Sequence, residues 1–396
     1  IEISATTKGK GRGTPALKLV TSDLIFDRDT GNASTTAPVQ FTFPGGSGSG
    51  VGVDYSTHDA TVRVERAIVF QLAASEKTGG MPVSASGSSL EIHRNERTVV
   101  LNGPVSAIEG QRQLSAAKIS VDFDEANRAK QVLAEGSPQI RATEGGNDVA
   151  VSASQFEGVL NPAGWIETVA ADGNVHATRR TKAGTGNFSA GHVEFAMLPG
   201  RNLVRDMTAT GGVSAQSRQG AESDALRTSA LHVAFSNAKM SDGASGKAAP
   251  KEIAEEQITG AETLAPAVIE MAKDSETTTV SAKQFVAQAG TNGRIDKLFG
   301  HVGVAIRRES ASGTPQTIAA PELVATLGSR GEWETAEATG GVRMQQAGRE
   351  ATANSARIDR ATEAIDLEGS PTVIDGQSRT SATTMKFNQK TGALQA

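Results

Sequence analysis

The sequence contains no cysteine. Disulfides and thiolate chemistry are thereby excluded, while the cellular compartment stays undecided. It has no apolar run of the roughly 18 residues that a membrane-spanning helix needs, so no segment reads as one. Aromatic residues make up only 4%, and any core must be built from Val, Ala, Leu and Ile with isolated Phe. Neither sign of charge dominates. The net charge is -5 with both signs mixed along the chain, and the lack of a basic stripe argues against nucleic acid as a partner. What is abundant is glycine, at 43 residues. A chain of 396 residues has room for two or three globular domains or for one long repeat array.

Self-similarity decides between them. One signature is a glycine, any residue, then Val or Pro. It stands at Gly103-Pro104-Val105, Gly136-Ser137-Pro138, Gly173-Asn174-Val175, Gly211-Gly212-Val213, Gly300-His301-Val302, Gly340-Gly341-Val342 and Gly369-Ser370-Pro371, with a weaker copy at Gly260-Ala261-Glu262. A second signature alternates with it: a small pair ending in Ala, then apolar residues at every other position. The pair's Ala falls at Ala116, Ala153, Ala190, Ala230, Ala282, Ala320, Ala353 and Ala382. The apolar positions that follow are Ile119, Val121 and Phe123; Phe156; Val193 and Phe195; Val233 and Phe235; Phe285; Leu323; Ile358; and Phe387. Period two means a strand with one buried and one wet face. Glycine recurring at one phase marks a bend or bulge common to all units. The longest interval, from Ala230 to Ala282, holds a low-complexity stretch over 237–263, read as a surface loop with one helical turn over 250–257. Turns are expected at Asn161-Pro162-Ala163-Gly164, Leu198-Pro199-Gly200, Thr291-Asn292-Gly293 and Lys390-Thr391-Gly392.

Such a unit cannot bury its own apolar face, and stacking neighbours makes one continuous core. The expected fold is all-β: an elongated antiparallel jellyroll, a folded-over two-sheet array of repeated two-strand units. The first hundred residues are similar but less regular. Strands are expected near Leu17–Val20, Leu24–Phe26, Val39–Phe43, Val51–Tyr55 and Thr61–Val64, with a turn over Asp27–Asn32. Gly45-Gly46-Ser47-Gly48-Ser49-Gly50 reads as a flexible hairpin loop, since no Lys follows in phosphate-loop spacing and no helix pattern opens after it.

Signals for catalysis are weak. No two of the six histidines stand at metal-ligand spacing. His192 and His232 share one repeat phase on the wet face and read as exposed strand residues. No nucleophile elbow is present. Asp122 and Asp124 share a strand face, an arrangement that would suit a polysaccharide-cleaving β-helix but more commonly serves solubility. Trp165 and Trp333 lie near turns, where an indole either caps the turn or stacks on sugar. No catalytic residue, metal site or cofactor is expected.

The alternating Gly-x-Val and small-Ala-x-x-apolar strands resemble the organic-solvent-tolerance repeat of the lipopolysaccharide-transport proteins LptA and LptC and of the LptD N-terminal domain. Gly13-Thr14-Pro15, Asp27-Arg28-Asp29-Thr30-Gly31 and Val51-Gly52-Val53-Asp54-Tyr55 are similar to the entry of long LptC-type proteins. The resemblance implies an LptC-like region over 1–110, jellyroll repeats over 111–236, the loop insert over 237–263 and LptA-like repeats over 264–396. It also implies a periplasmic, non-catalytic bridge that carries lipopolysaccharide acyl chains from an inner-membrane ABC transporter toward the outer membrane. Other jellyroll proteins would join through edge-strand pairing. LptC-type members carry an N-terminal transmembrane anchor, so attachment to the inner membrane would run through a segment preceding Ile1.

On this reading the twelve apolar residues named above, from Ile119 to Phe387, line a slide for lipid tails. Parity sends them inward whether the seam between the sheets is open or closed. A structural or adhesive β-solenoid with a sealed core therefore stays open as an alternative, as does a polysaccharide-active β-helix enzyme with an outer carboxylate cleft.

Overall fold

The computed structural model describes residues 2–5, 17–43, 45–76, 80–237, 256–290, 294–310, 313–328, 331–388 and 393–396. These residues form strands and turns, with no α-helix among them, and strand neighbours pair antiparallel from end to end. The chain divides into two compact units. The first comprises Ile1–Lys182 with His192–Asn202, and the second Ala183–Gly191 with Leu203–Ala396.

One construction rule recurs in both units. A long strand bends in its middle and serves two half-sheets. In the first unit, strand Arg112–Phe123 pairs through Arg112–Ser115 with Gln139–Glu144, and through Lys118–Phe123 with Ala129–Glu135. In the second unit, Glu222–Asn237 gives its first half to Ala267–Lys273 and its second half to Glu256–Thr263. Arg349–Asp359 divides in the same way between Thr372–Asp375 and Ala364–Glu368. Each unit is thus a sheet folded over on itself, the jellyroll arrangement expected from the repeat.

The bend is a β-bulge at the Gly-x-Val signature. Gly103 and Pro104 oppose Ala117 alone, Gly211 and Gly212 oppose Ser229, and Gly340 and Gly341 oppose Asn354. Two residues against one shift the pleat by a position and turn the strand. Inward parity therefore restarts after the corner: Ala116 and Ala153 are buried, and the next inward residues come three positions later, at Ile119 and Phe156. The φ angles of Gly340 (90°) and Gly341 (103°) lie in the left-handed half of the map, and a Cβ on Gly340 would stand 3.0 Å from Pro321 Cγ. The corner at this point requires glycine. The residue after each pair closes the fold: Pro138, Val175, Val213, Val342 and Pro371 are all buried.

Several sequence expectations shift. The fifth corner is Val302-Gly303-Val304, not Gly300-His301-Val302. Val302 and Gly303 have φ of 61° and 78° and oppose Pro321 alone, and Val304 is the buried residue. The weak copy at Gly260 lies inside a strand, and the break comes at Leu264–Pro266. In the fourth unit the corner residue is buried Thr228, two positions before Ala230, with Leu231 and Val233 next inward. His192 and His232 consequently do not share a phase. The expected loop over 237–263 ends in strand Glu256–Thr263, which pairs on both sides; the helical turn expected over 250–257 lies outside the described residues except for 256–257, which are strand. The turns expected at 291–293 and 390–392 also lie outside the described residues.

The glycine-rich segment is the largest departure. Gly46–Ser56 is a strand, flanked by Ala33–Phe43 and Thr61–Leu72. Its alternate glycines make room for rings. A Cβ on Gly48 would stand 2.2 Å from Phe41 Cε2, and one on Gly46 would stand 2.7 Å from Phe43 Cζ. Phe41, Phe43 and Phe70 fill that space, with ring centroids 5.2 Å (Phe41–Phe70) and 6.1 Å (Phe43–Phe70) apart.

Candidate functional site

The inward faces of the half-sheets are the concave surfaces of each unit. In the first unit, residues 19–105 pack as a closed cluster of Leu19, Val39, Phe41, Val53, Val64, Ile68, Leu90, Leu101 and Val105. Beyond it the inward face opens. Strand register arranges one half-sheet in tiers. At the fold lie buried Val105, Ala116, Ala153 and Val175. One step up, Ala107, Leu114, Ile140, Val151 and Ala177 stand side by side on five strands. None of these five is buried, and Ile140 keeps 36% of its surface exposed. The facing half-sheet follows the same gradient. Ile119, Ala134, Phe156 and Ala171 form its lower row, and Val121, Val132, Gly158 and Val169 its upper one. Ala134, Phe156 and Ala171 are buried, whereas the whole upper row is half-buried.

The second unit carries two long rows on one half-sheet. Phe285, Gly300, Leu323, Ala338, Ala356, Leu367 and Met385 are consecutive cross-strand partners. So are Val233, Ala261, Ala287, Leu298, Ala325, Ala336, Ile358, Ile365 and Phe387. The first row is buried throughout, whereas the second is half-open at Ala261, Ala287 and Leu298 and closed from Ala325 onward. From Ala267 onward buried inward residues of both half-sheets join one cluster. Alanines explain the closure. Ala320, Ala325, Ala336, Ala338, Ala351, Ala353 and Ala356 are all buried there, and side chains this small let the facing half-sheets meet without a gap. Near the C-terminal edge a cavity of about 270 Å³ remains, lined by Met344, Ala351, Leu367, Val373, Phe387 and Leu394 among others.

The twelve residues expected to face inward fall into two groups. Phe156, Val193, Val233, Phe285, Leu323, Ile358 and Phe387 are buried, while Ile119, Val121, Phe123, Phe195 and Phe235 are half-buried. Ile119 packs on the edge of the closed N-terminal cluster. These twelve do not form a single row: in the second unit Phe285 and Leu323 lie in one row, and Val233, Ile358 and Phe387 in another. The opposite wall was overlooked. Leu114, Val151, Leu226, Val280, Ile318 and Ala351 stand two positions before the buried corner residue of their strands, a column readable from the period-two pattern upstream of each small pair.

Polar groups occupy the outer faces and rims. His192 Nδ1 lies 2.5 Å from Asp172 Oδ1, and His301 Nδ1 lies 2.5 Å from Glu322 Oε2. His232 sits between Asp206 (3.8 Å) and Glu262 (3.6 Å). Asp122 and Asp124 do not act as a pair. Asp122 accepts from the Thr98 hydroxyl at 2.8 Å, while Asp124 ends its strand and accepts from the Ala126 and Arg128 amides, both at 2.9 Å. The Arg128 amide and then its guanidinium hold the Asp124 carboxyl below the usual carboxylate range. Burial, and then the neighbouring Glu222, pushes the Asp224 carboxyl up, with Arg360 opposing, although the residue as a whole is exposed. Trp165 closes the Asn161 turn, its amide donating to Asn161 Oδ1 at 3.1 Å. Trp333 lies beneath the Arg360 guanidinium, 5.8 Å from ring centroid to Cζ.

Residues 304–393 match the model of the family described as LptA/(LptD N-terminal domain) LPS transport protein. No curated protein matches the chain. Among solved structures, the chain is similar to LptH, the LptA-homologous periplasmic component of the conserved lipopolysaccharide transport device from Pseudomonas aeruginosa. That likeness has 10% identity and a TM-score of 0.24, over 31% of this chain and 80% of that one.

Proposed function

We propose, from the match of residues 304–393 to the LptA/LptD N-terminal family model of lipopolysaccharide-transport proteins, that this chain is a non-catalytic periplasmic carrier. It takes the acyl chains of lipopolysaccharide on the inward face of its folded sheets and leaves the polar head at the solvent-facing rim. The observation that carries the reading is the half-buried upper tier of the first unit, where Leu114, Ile140 and Val151 face Val121, Val132 and Val169. Apolar side chains held partly wet on a concave surface gain about 25 cal/mol for each Å² that an alkyl chain covers. Valine and alanine predominate there, which leaves the width that a chain needs.

The buried cluster from Ala267 to Phe387 favours a second role for that segment, as the structural core on which the carrier is built. Transfer partners would dock on free strand edges. Among the described residues, strand Ser378–Ser381 pairs only with Thr372–Asp375, and all four of its residues are exposed. An inner-membrane ABC transporter at one end and further jellyroll proteins at the other are the partners proposed.

Site-specific photo-crosslinking tests the carrier. A photoreactive residue at Val121, Phe195 or Phe235 is expected to yield adducts with lipopolysaccharide, while one at outward Glu157 yields none. Absence of adducts at all three inward sites would overturn the reading.

A further inference from the structure

The first unit's inward face ends in a third tier with a different chemistry. Above Leu114 and Ile140, register places Glu109, Arg112, Ala142, Val149 and Arg179 side by side on five strands. These residues keep the inward parity of Ala116, Leu114 and Ile140, so they form the lip of the apolar surface. Arg112, Ala142, Asn147, Val149 and Arg179 line one open cavity of about 380 Å³. Three inter-strand steps, roughly 14 Å at about 4.8 Å each, separate the two arginine-bearing strands. The two residues between them, Ala142 and Val149, are small enough to leave that span as a floor. Two guanidinium groups stand in this tier against a single carboxylate, Glu109, on the far side of Arg112. Arg141, which donates to Gln139 Oε1 at 3.0 Å, and Asp148, which accepts from the Thr143 hydroxyl at 2.9 Å, belong to the outer face, while Glu144 keeps the inward parity one pair further out, opposite Asn147. The Arg179 side chain forms no hydrogen bond or ion pair among the described residues, whereas Arg112 already has a partner that a phosphate would have to share or displace.

We propose that this lip is an anion site, in which Arg112 and Arg179 bind a phosphate group over the Ala142–Val149 floor. Guanidinium offers forked N–H donors that match phosphate oxygens. The apolar tier runs down from the lip without interruption, so a phosphate bound at the rim leaves an attached acyl chain directly above Leu114 and Ile140. The ligand class is a phosphorylated amphiphile, and this part rests on the carrier reading above. The anion site itself does not depend on that reading, because free phosphate carries the same chemistry.

Two measurements on the full chain separate these cases. The first titrates inorganic phosphate and follows its ³¹P line width. The native protein broadens the line, and the Arg112→Ala/Arg179→Ala variant is expected to lose at least three quarters of that effect, with the double Arg→Lys variant retaining most of it. Equal broadening by native and double-alanine protein overturns the proposal. The second compares lipopolysaccharide with the same material after phosphatase treatment, by displacement of a fluorescent fatty acid. The double-alanine variant is expected to bind the phosphorylated form about tenfold more weakly and the dephosphorylated form unchanged. Equal loss for both forms, or native protein that does not distinguish them, overturns the assignment of the anion to the lipid's head. Failure to bind either lipid form while phosphate broadening persists overturns the carrier reading and leaves a site for free phosphate.

Discussion

Two isoleucines on inward faces provide a calibrated comparison. Ile365 in the second unit is fully buried, with 0% of its surface exposed, and Ile140 in the first unit keeps 36%. Truncation to alanine removes the same three carbons at either site. At about 0.8 kcal/mol per buried carbon, the transfer loss at Ile365 is about 2.4 kcal/mol. The cavity left in the closed cluster adds to it, for an expected total of about 3–4 kcal/mol. At Ile140 only about two thirds of the transfer term applies, and no cavity forms because solvent already reaches the site. The expected cost is about 1–1.5 kcal/mol. The two tryptophans make the measurement local, since Trp165 belongs to the first unit and Trp333 to the second. Urea unfolding of Ile140→Ala followed in a Trp333→Phe background, and of Ile365→Ala in a Trp165→Phe background, gives the two losses separately. If Ile140→Ala costs as much as Ile365→Ala, the first unit is as closed as the second, and the reasoning that makes its inward face a lipid surface fails.

Three further outcomes follow from local geometry. Val302→Gly relieves a β-branched residue held at a φ of 61° with 52% of its surface exposed; the left-handed strain of about 1–2 kcal/mol outweighs glycine's added chain entropy, so the thermal midpoint should rise by a few degrees. A fall would show that Val302 packs productively. Gly48→Ala should cost about 1–3 kcal/mol, because its Cβ would meet the Phe41 ring, and near-ultraviolet circular dichroism should register the displaced rings. Asp224→Asn should raise stability at neutral pH. The native carboxyl titrates above its unfolded value, so its penalty is absent below the unfolded pKa and complete above the folded one. The gain should therefore vanish near pH 3, and an equal gain at both pH values would refute the electrostatic cause.

The repeat, the strand parity and the existence of glycine corners were legible in the sequence because each is a local pattern. Their phase was less legible, for a geometric reason. Strand parity has a period of two, so misplacing a corner by two residues leaves the side chains on either side of it on their expected faces and changes only those in between. That is how Gly300 stood in for Val302, and Ala230 for Thr228, without disturbing the inward assignment of Val233 or Leu323. Gly46–Ser56 was unreadable as a strand because its alternate glycines are defined by rings on neighbouring strands and not by anything in the segment itself. The far wall, Leu114 through Ala351, was present in the pattern and missed, because the bulge resets parity at the small pair and only the downstream half was followed. Whether the two walls meet is not a property of either strand alone. It depends on the size of residues brought opposite each other, as with the alanines around Ala338 and Ala356.

The bent strands bear on how such a surface could admit a guest. The two walls are not separate plates joined by a hinge: long strands such as Arg112–Phe123 run through both, with the ladder interrupted at the bulge. A wall therefore does not swing as a whole. A bent strand that opened at its corner would be held back by hydrogen bonds to its immediate neighbours. Local widening is therefore opposed by the few strands paired beside that corner and not by the whole length of the seam.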